Sequence, residues 1–184
     1  MRQLYTISFP ELRAADAEFI EAFRREHDAL GCEIVAAHFT LVFASCSVPE
    51  KDYLRHVERV AAASEPIRFV CQRAILGADE HTGDAHVFLV PDSGFAEMAG
   101  LHDRLYAGRL ASELRSDLSF VPHMTMGTMA DPRTAEDACE ALNQELPRVE
   151  GWLRELIVAT VDGGRLEKLG AYRLGGVQPL DVVD

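Results

Sequence analysis

The sequence predicts an α/β (α+β) fold with a bilobal, duplicated β-α-β(HxTx)-α-β architecture, largely antiparallel sheets and a central cleft. Strand-like and helix-like segments alternate in the same order twice along the 184 residues. Two His-x-Thr segments, at His38 and His123, occupy matching places in the two series. At this length we expect one domain over residues 1–184, with lobe halves of approximately 1–80 and 81–184.

The first series opens with a strand over residues 4–9, and a helix follows Pro10. Leu12 and Phe23 belong to the apolar face of this helix, because they recur at helical spacing. Gly31 is a natural position for the helix to end, since glycine readily leaves the helical conformation.

A second strand, predicted over residues 33–43, carries the first His-x-Thr segment. Its β-branched and aromatic residues favour extended structure, in which successive side chains point to opposite faces. One face would hold His38, Thr40 and Val42, and the other Phe39, Leu41 and Phe43. Next, the Ser47-x-x-Glu50 pattern of a capping box predicts a helix to about residue 63, and residues 67–76 predict a strand.

The second series repeats this order after a polar loop over residues 77–84. It comprises a strand over 85–90, a helix over 93–114, a strand over 118–129 with the second His-x-Thr segment, a helix from Asp131-Pro132 through 146, and a strand over 152–161. A Gly163-Gly164 turn then predicts a hairpin with residues 165–174, before a loose tail or short edge strand over 175–184. The two histidines are 85 residues apart, and a shift of 85 places the helix and strand that follow the first motif on those that follow the second, within boundary error.

Composition excludes several classes of protein. The formal charge of −12 and pI near 5.0 disfavour extended nucleic-acid binding, but they leave room for a small nucleotide or an RNA end. No run approaches the ~18 apolar residues that span a bilayer and no signal peptide is recognisable, so we expect no membrane contact and a cytoplasmic location. The four cysteines lack the spacing of a zinc knuckle or a disulfide framework, which predicts reduced thiols.

The paired His-x-Thr segments predict acid–base chemistry on a phosphodiester. In a strand, residues two apart share a face, so each histidine and its threonine face the same space. If the halves pack about a pseudo-twofold axis, two imidazoles and two hydroxyls surround one point. Imidazole can serve as base or acid, and Thr40 and Thr125 can donate to the phosphate oxygens. A zinc site built from His38, His123, His81 and His86 is disfavoured, because no HExxH motif or telling ligand spacing accompanies them.

These segments, His38-Phe39-Thr40-Leu41 and His123-Met124-Thr125-Met126, resemble the two H-x-[ST]-x motifs of the 2H phosphoesterase superfamily, or 2'-5' RNA ligase-like family. Residues 120–125 are similar to its Pro-His-x-Thr strand, and residues 5–9 to its opening strand. The resemblance implies catalysis by His38 and His123, substrate binding by Thr40 and Thr125, and no metal or other cofactor. It implies a small nucleotide or RNA-end phosphodiester as substrate, either a cyclic phosphate or a 2'-5' linkage.

Two departures from that pattern weaken the RNA-ligase interpretation in particular. Ala37 stands where the family often has proline, and Gly127-Thr128 stands where ligating members often have a basic residue. Two alternatives to an enzyme remain open. One is a non-catalytic nucleotide- or phosphate-binding module of the same fold, and the other is an interaction domain whose two motifs are coincidental.

Overall fold

Strands and helices alternate along the part of the chain that the computed structural model describes, residues 2–78, 83–115 and 119–175. The predicted loop at 77–84 is described only at its two ends, and the predicted tail at 175–184 only at Gly175. The strands are β1 (Leu4–Ser8), β2 (Glu11–Leu12), β3 (Phe39–Ser45), β4 (Ile67–Ala78), β5 (Ala85–Ser93), β6 (Met124–Met129), β7 (Val149–Leu153), β8 (Glu155–Asp162) and β9 (Arg165–Arg173). The helices are α1 (Ala14–His27), α2 (Ala29–Ile34), α3 (Glu50–Ala62), α4 (Phe95–Leu105) and α5 (Pro132–Glu145), with a 3-10 helix at Gly108–Glu113.

The described strands form two antiparallel sheets, in the orders β3-β1-β8-β9 and β2-β7-β4-β5-β6. The two orders correspond, because β3, β1, β8 and β9 match β6, β5, β4 and β7. The predicted α/β fold with duplicated architecture and antiparallel sheets is therefore confirmed. Strand β4 precedes residue 80 and pairs with β5, which follows it. The two halves of the chain thus share sheets, and the lobe division near residue 80 stays a prediction.

Both sheets and the helices contribute to one large apolar core. Phe39 of β3 and Phe69 of β4 meet edge to face, with ring centroids 5.2 Å apart, which joins the two sheets. A second, smaller cluster around Ile7 and Ile157 lies on the opposite face of the first sheet. All four cysteines are free thiols. Among the described residues, no helix is long and apolar enough to cross a membrane.

The first predicted helix begins later than expected and does not end at Gly31. Leu12 pairs in β2 with Gly151 of β7, so the helix begins only at Ala14. Gly31 lies inside α2, where a Cβ atom would collide with the Asp28 carboxylate. Its role is therefore close packing, and the chain breaks between the two helices at Asp28 instead.

Of the strand predicted over 33–43, the first two residues belong to α2, which ends at Ile34. The strand β3 begins only at Phe39. Its predicted faces also change after Leu41, since Val42 is fully buried whereas Phe43 is 45% exposed. Thr40 pairs with Ile7 and Val42 with Thr6, so Leu41 is an extra residue in the ladder. This bulge shifts the alternation by one residue.

One helix and two strands predicted for the second series differ from the structure. The helix predicted over 93–114 is interrupted after Leu105, and Gly108 has a φ of 64° at the start of the 3-10 helix. Of the strand predicted over 118–129, residue 118 lies outside the described residues, and among the others the strand begins only at Met124. The segment predicted as one strand over 152–161 is divided at Arg154 into β7 and β8.

The predicted capping box does not form, because Ser47 donates its hydroxyl to Glu113 and Pro49 precedes the helix without a side-chain cap. By contrast, the start of α5 at Asp131-Pro132 and the Gly163-Gly164 turn of the last hairpin are as predicted. Asp131 accepts hydrogen bonds from the first backbone N–H groups of α5. Gly163 and Gly164 have φ values of 54° and 76°, which suits a two-residue hairpin turn.

Candidate active site

His38 and His123 each lie one residue before an edge strand. His38 precedes β3, at one edge of the first sheet, and His123 precedes β6, at one edge of the second. Thr40 pairs with Ile7, whose side chain belongs to the cluster on the non-core face of the first sheet. Since β3 and β6 are edge strands, each has a hydrogen-bonded neighbouring strand on one side only.

One nitrogen of each imidazole is held by the protein backbone. Nδ1 of His38 lies 2.9 Å from the Ala36 carbonyl oxygen, and Nδ1 of His123 lies 2.7 Å from the Val121 carbonyl oxygen. A carbonyl oxygen can only accept, so each Nδ1 carries the proton that it donates. In the neutral rings Nε2 is then the nitrogen with a lone pair, available to take up a proton.

Both motifs end in a β-bulge at the same position. Phe88 pairs with Thr125 and Val87 with Gly127, which leaves Met126 as the extra residue of β6. Leu41 is the extra residue of β3 and, like Met126, is the fourth residue of its motif. Bulges re-aim neighbouring side chains and are frequent beside active sites. The duplication thus extends to the backbone irregularity that follows each threonine.

Burial lowers the pKa values of both histidines, and the charge of His38 lowers the pKa of His123 further. Burial is the main cause of the lowered pKa of His38; the hydrogen bond to Ala36 opposes it, and the Arg24 charge adds to it. Burial is also the main cause of the lowered pKa of His123; the Val121 hydrogen bond opposes it, and the charges of His38 and His86 add to it. Since the His38 charge acts on His123, the two imidazoles are within electrostatic reach of each other.

Thr40 and Thr125 are both half-buried. Within the described part of the chain, neither hydroxyl makes a hydrogen bond to another protein group. Each threonine lies two residues after its histidine and is the second residue of the strand that follows, so each hydroxyl is free to donate to a ligand.

Aromatic rings adjoin both histidines. Phe88 stacks on His123 with ring centroids 3.8 Å apart, and it lies over Gly77, where a Cβ atom would collide with the ring. Phe9 meets His38 edge to face at 6.2 Å. Lys168 places its Nζ 5.1 Å from the centroid of the Phe9 ring, so a cation flanks the His38 side.

A buried ion cluster joins the segments around the two motifs. Arg24 of α1 is only 2% exposed and binds the carboxylates of Glu21 and Asp28. Arg24 also donates to the Val35 carbonyl, and Glu21 accepts from the Ala37 amide at 2.6 Å, immediately before His38. On the other side, Asp28 accepts from the Thr128 hydroxyl of β6 at 3.1 Å. The cluster therefore ties the approach to His38 to the strand that follows His123.

Helix α4 makes a second connection between the motifs. His102 is 4% exposed and donates from Nδ1 to the carbonyl of the bulged Leu41 at 2.9 Å. Its ring also stacks on Phe120, three residues before His123, at 3.7 Å. Tyr106, one turn later, accepts from the Phe43 amide. Side chains of α4 and of the residue that follows it thus make hydrogen bonds to the open edge of β3, where another strand would otherwise pair.

Arg24, His86, Phe88 and His102 were not predicted as part of the site. Nothing in the local pattern distinguishes them, because each lies at an ordinary helix or strand position. One weak signal exists for Arg24, which lies four residues after Ile20 and so on the same face of α1, although its sequence neighbours are polar. Among the described residues, no group of three or more His, Cys, Asp or Glu side chains is arranged to hold a metal ion. His81, from the disfavoured zinc set, lies outside those residues.

Comparison with known proteins gives one family and several structures. The sequence pattern of the 2'-5' RNA ligase superfamily matches residues 10–165. LigT of E. coli, crystallised with 3'-AMP, is 18% identical with a TM-score of 0.56, over 95% of this chain and 99% of that one. The TT0787 protein of Thermus thermophilus is 19% identical with a TM-score of 0.57, over the same shares. No curated protein matches the chain.

Proposed function

The chain belongs to the 2'-5' RNA ligase superfamily, and we propose that it is a metal-independent phosphodiesterase that uses His38 and His123 as acid and base. Its proposed substrates are cyclic phosphates, 2'-5' linked nucleotides or RNA ends. The observation that carries this proposal is the matched pair of imidazoles, each held at Nδ1 by the carbonyl two residues earlier and each available at Nε2.

In the proposed reaction a 2',3'-cyclic phosphate lies between the two Nε2 atoms. One neutral imidazole takes a proton from water as the water oxygen bonds to phosphorus. The other imidazole, protonated at Nε2, gives its proton to the ribose oxygen as the bond from that oxygen to phosphorus breaks. The pair thus exchanges protonation states in each turnover. For a 2'-5' linkage, a ribose hydroxyl can replace water as the attacking group.

Thr40 and Thr125 are proposed to hold the non-bridging oxygens of the phosphate. Their hydroxyls lack protein partners among the described residues, so binding a phosphate breaks no internal hydrogen bond. Donors that are already in place when negative charge develops stabilise the transition state at little reorganisation cost. They also fix the phosphorus between the histidines, which favours in-line attack.

The substrate is proposed to be small. With a net charge of −12, the chain repels polyanions, so attraction to a phosphate has to come from local groups at the site. The similar LigT structures of E. coli were crystallised with 3'-AMP, NADP+, ATP and phosphate, which are ligands of this size. Phe9 and Phe88, beside the histidines, offer apolar surface to a sugar or base.

The test is turnover of 2',3'-cyclic nucleotides and 2'-5' dinucleotides in the presence of a metal chelator. We expect wild type and the control His27→Gln to be active, and His38→Ala and His123→Ala to lose about 10²-fold or more. Turnover that the chelator abolishes and zinc restores would contradict the metal-free mechanism. Binding of 3'-AMP without turnover of any of these substrates would favour the non-catalytic binding module.

A further inference from the structure

A third histidine, His86 of β5, lies on the same side of the second sheet as His123. Val87 is fully buried in the core, so its neighbours His86 and Phe88 point to the opposite face. The rings of His86 and Phe88 are nearly parallel, 9° apart, with centroids separated by 5.5 Å. Phe88 in turn stacks on His123. One phenyl ring therefore separates His86 from the proposed catalytic histidine.

The proton positions on His86 follow from its hydrogen bonds. The Thr128 hydroxyl donates to Oδ1 of Asp28, so its oxygen is left to accept from Nδ1 of His86 at 3.2 Å. Nδ1 therefore carries a proton, and Nε2 has no partner among the described residues. If Nε2 is also protonated, the ring becomes a cation with one N–H directed away from Thr128.

We propose that His86 binds a second phosphate group on the nucleotide whose reacting phosphate lies between His38 and His123. This inference rests on the function proposed above. A ribose that places its 2' or 3' phosphate at His123 can direct a 5' phosphate across Phe88 towards His86. The half-buried His86 ring offers an imidazole N–H donor there, and its contact with Thr128 fixes the ring's orientation. A charge-assisted hydrogen bond is the interaction that distinguishes a phosphate from a hydroxyl at that position.

The experiment compares the dissociation constants of adenosine 3',5'-bisphosphate and adenosine 3'-monophosphate by calorimetry at about pH 6, where imidazole can accept its second proton. We expect wild type to prefer the bisphosphate about tenfold. The preference is expected to vanish in His86→Gln and to persist in His86→Arg, which retains a cation. Thr128→Val keeps the His86 ring but removes the hydroxyl oxygen that accepts from its Nδ1, and it is expected to weaken the preference for the bisphosphate.

Equal affinity of wild type for the two ligands would overturn the proposal, and so would an undiminished preference in His86→Gln. If His86→Gln fails to fold, an undiminished preference in Thr128→Val overturns it instead. Because only binding is measured, the result is separate from the test of function. A wild-type protein that prefers the bisphosphate but cleaves no phosphodiester would reject the proposed reaction and retain the second phosphate site.

Discussion

Buried ions hold the backbone immediately before His38, whereas an aromatic ring stacks directly on His123. The two motifs share the Nδ1 hydrogen bond to a carbonyl and the bulge after threonine. Arg24 and its carboxylates hold the chain before His38, whereas Phe88 covers the ring of His123. The two copies thus retain the same local backbone geometry, but different neighbours support it. Substitutions that remove only the ion pairs, or only the hydroxyl or ring contacts, can show how much each motif depends on its neighbours and how much on its own backbone geometry.

The largest expected effect is on the ionic side. Arg24→Met leaves the carboxylates of Glu21 and Asp28 partly buried without their cation, and we expect the free energy of unfolding to fall by about 3–5 kcal/mol. Urea unfolding measures this. The control is Arg68→Met, which breaks the exposed ion pair with Glu150 and should change the free energy of unfolding little, because water and salt screen that pair. Equal losses in the two variants would show that the cluster does not support the His38 segment.

The next effect tests whether the two threonines are equivalent. Thr40→Val and Thr125→Val each remove one proposed donor to the phosphate, and each is expected to lower kcat by about 10²-fold. The serine variants at both positions keep a hydroxyl and should recover most of the rate. A loss confined to one threonine would mean that only one half of the duplication binds the transition state.

A smaller effect is expected at α4, which touches both motifs. His102→Leu removes the donor to the Leu41 carbonyl and the stack on Phe120, at an expected cost of about 1–3 kcal/mol in unfolding free energy. Burial lowers the pKa of His102 in the folded protein. Below about pH 6.5 the unfolded chain therefore binds a proton at this residue more readily than the folded chain does. Wild type therefore loses stability as pH falls, and His102→Leu should lose less. An unchanged pH dependence would exclude His102 as a source of acid sensitivity.

The pH profile of kcat/KM is the mildest test. The pKa values of His38 and His123 are both lowered from 6.5, chiefly by burial, so both limbs of a bell-shaped profile are expected on the acid side of that value. Activity should then fall as pH rises, because the histidine that acts as the acid loses its proton. A maximum above about pH 7.5 would mean that neither group controls the reaction as free imidazole.

The parts that sequence reasoning predicted are those set by local chemistry. The Gly163-Gly164 turn and the start of a helix at Asp131-Pro132 each depend on residues a few positions apart. Such features can be predicted from a short stretch of sequence because they do not depend on contacts with distant residues. The same holds for the duplicated order of strands and helices, which depends on hydrophobic periodicity.

The parts that it missed depend on contacts between distant residues. Arg24 lies in a polar stretch of α1, and its burial becomes visible only when the Val35 carbonyl and Asp28 surround it. Gly31 is predicted to end a helix. In the structure a glycine is needed there because a Cβ atom would collide with the Asp28 carboxylate. His102 gives no signal at all in the sequence, because its partners are Leu41 and Phe120.

The central claim is that His38 and His123 act on one phosphate, and a double variant tests it most directly. We would measure kcat for a 2',3'-cyclic nucleotide with His38→Ala, His123→Ala and both substitutions together. Residues that act as a unit are not additive, so the double variant should be about as slow as the slower single one. If the two losses multiply, or if either single variant retains wild-type turnover, the two histidines do not form one catalytic site.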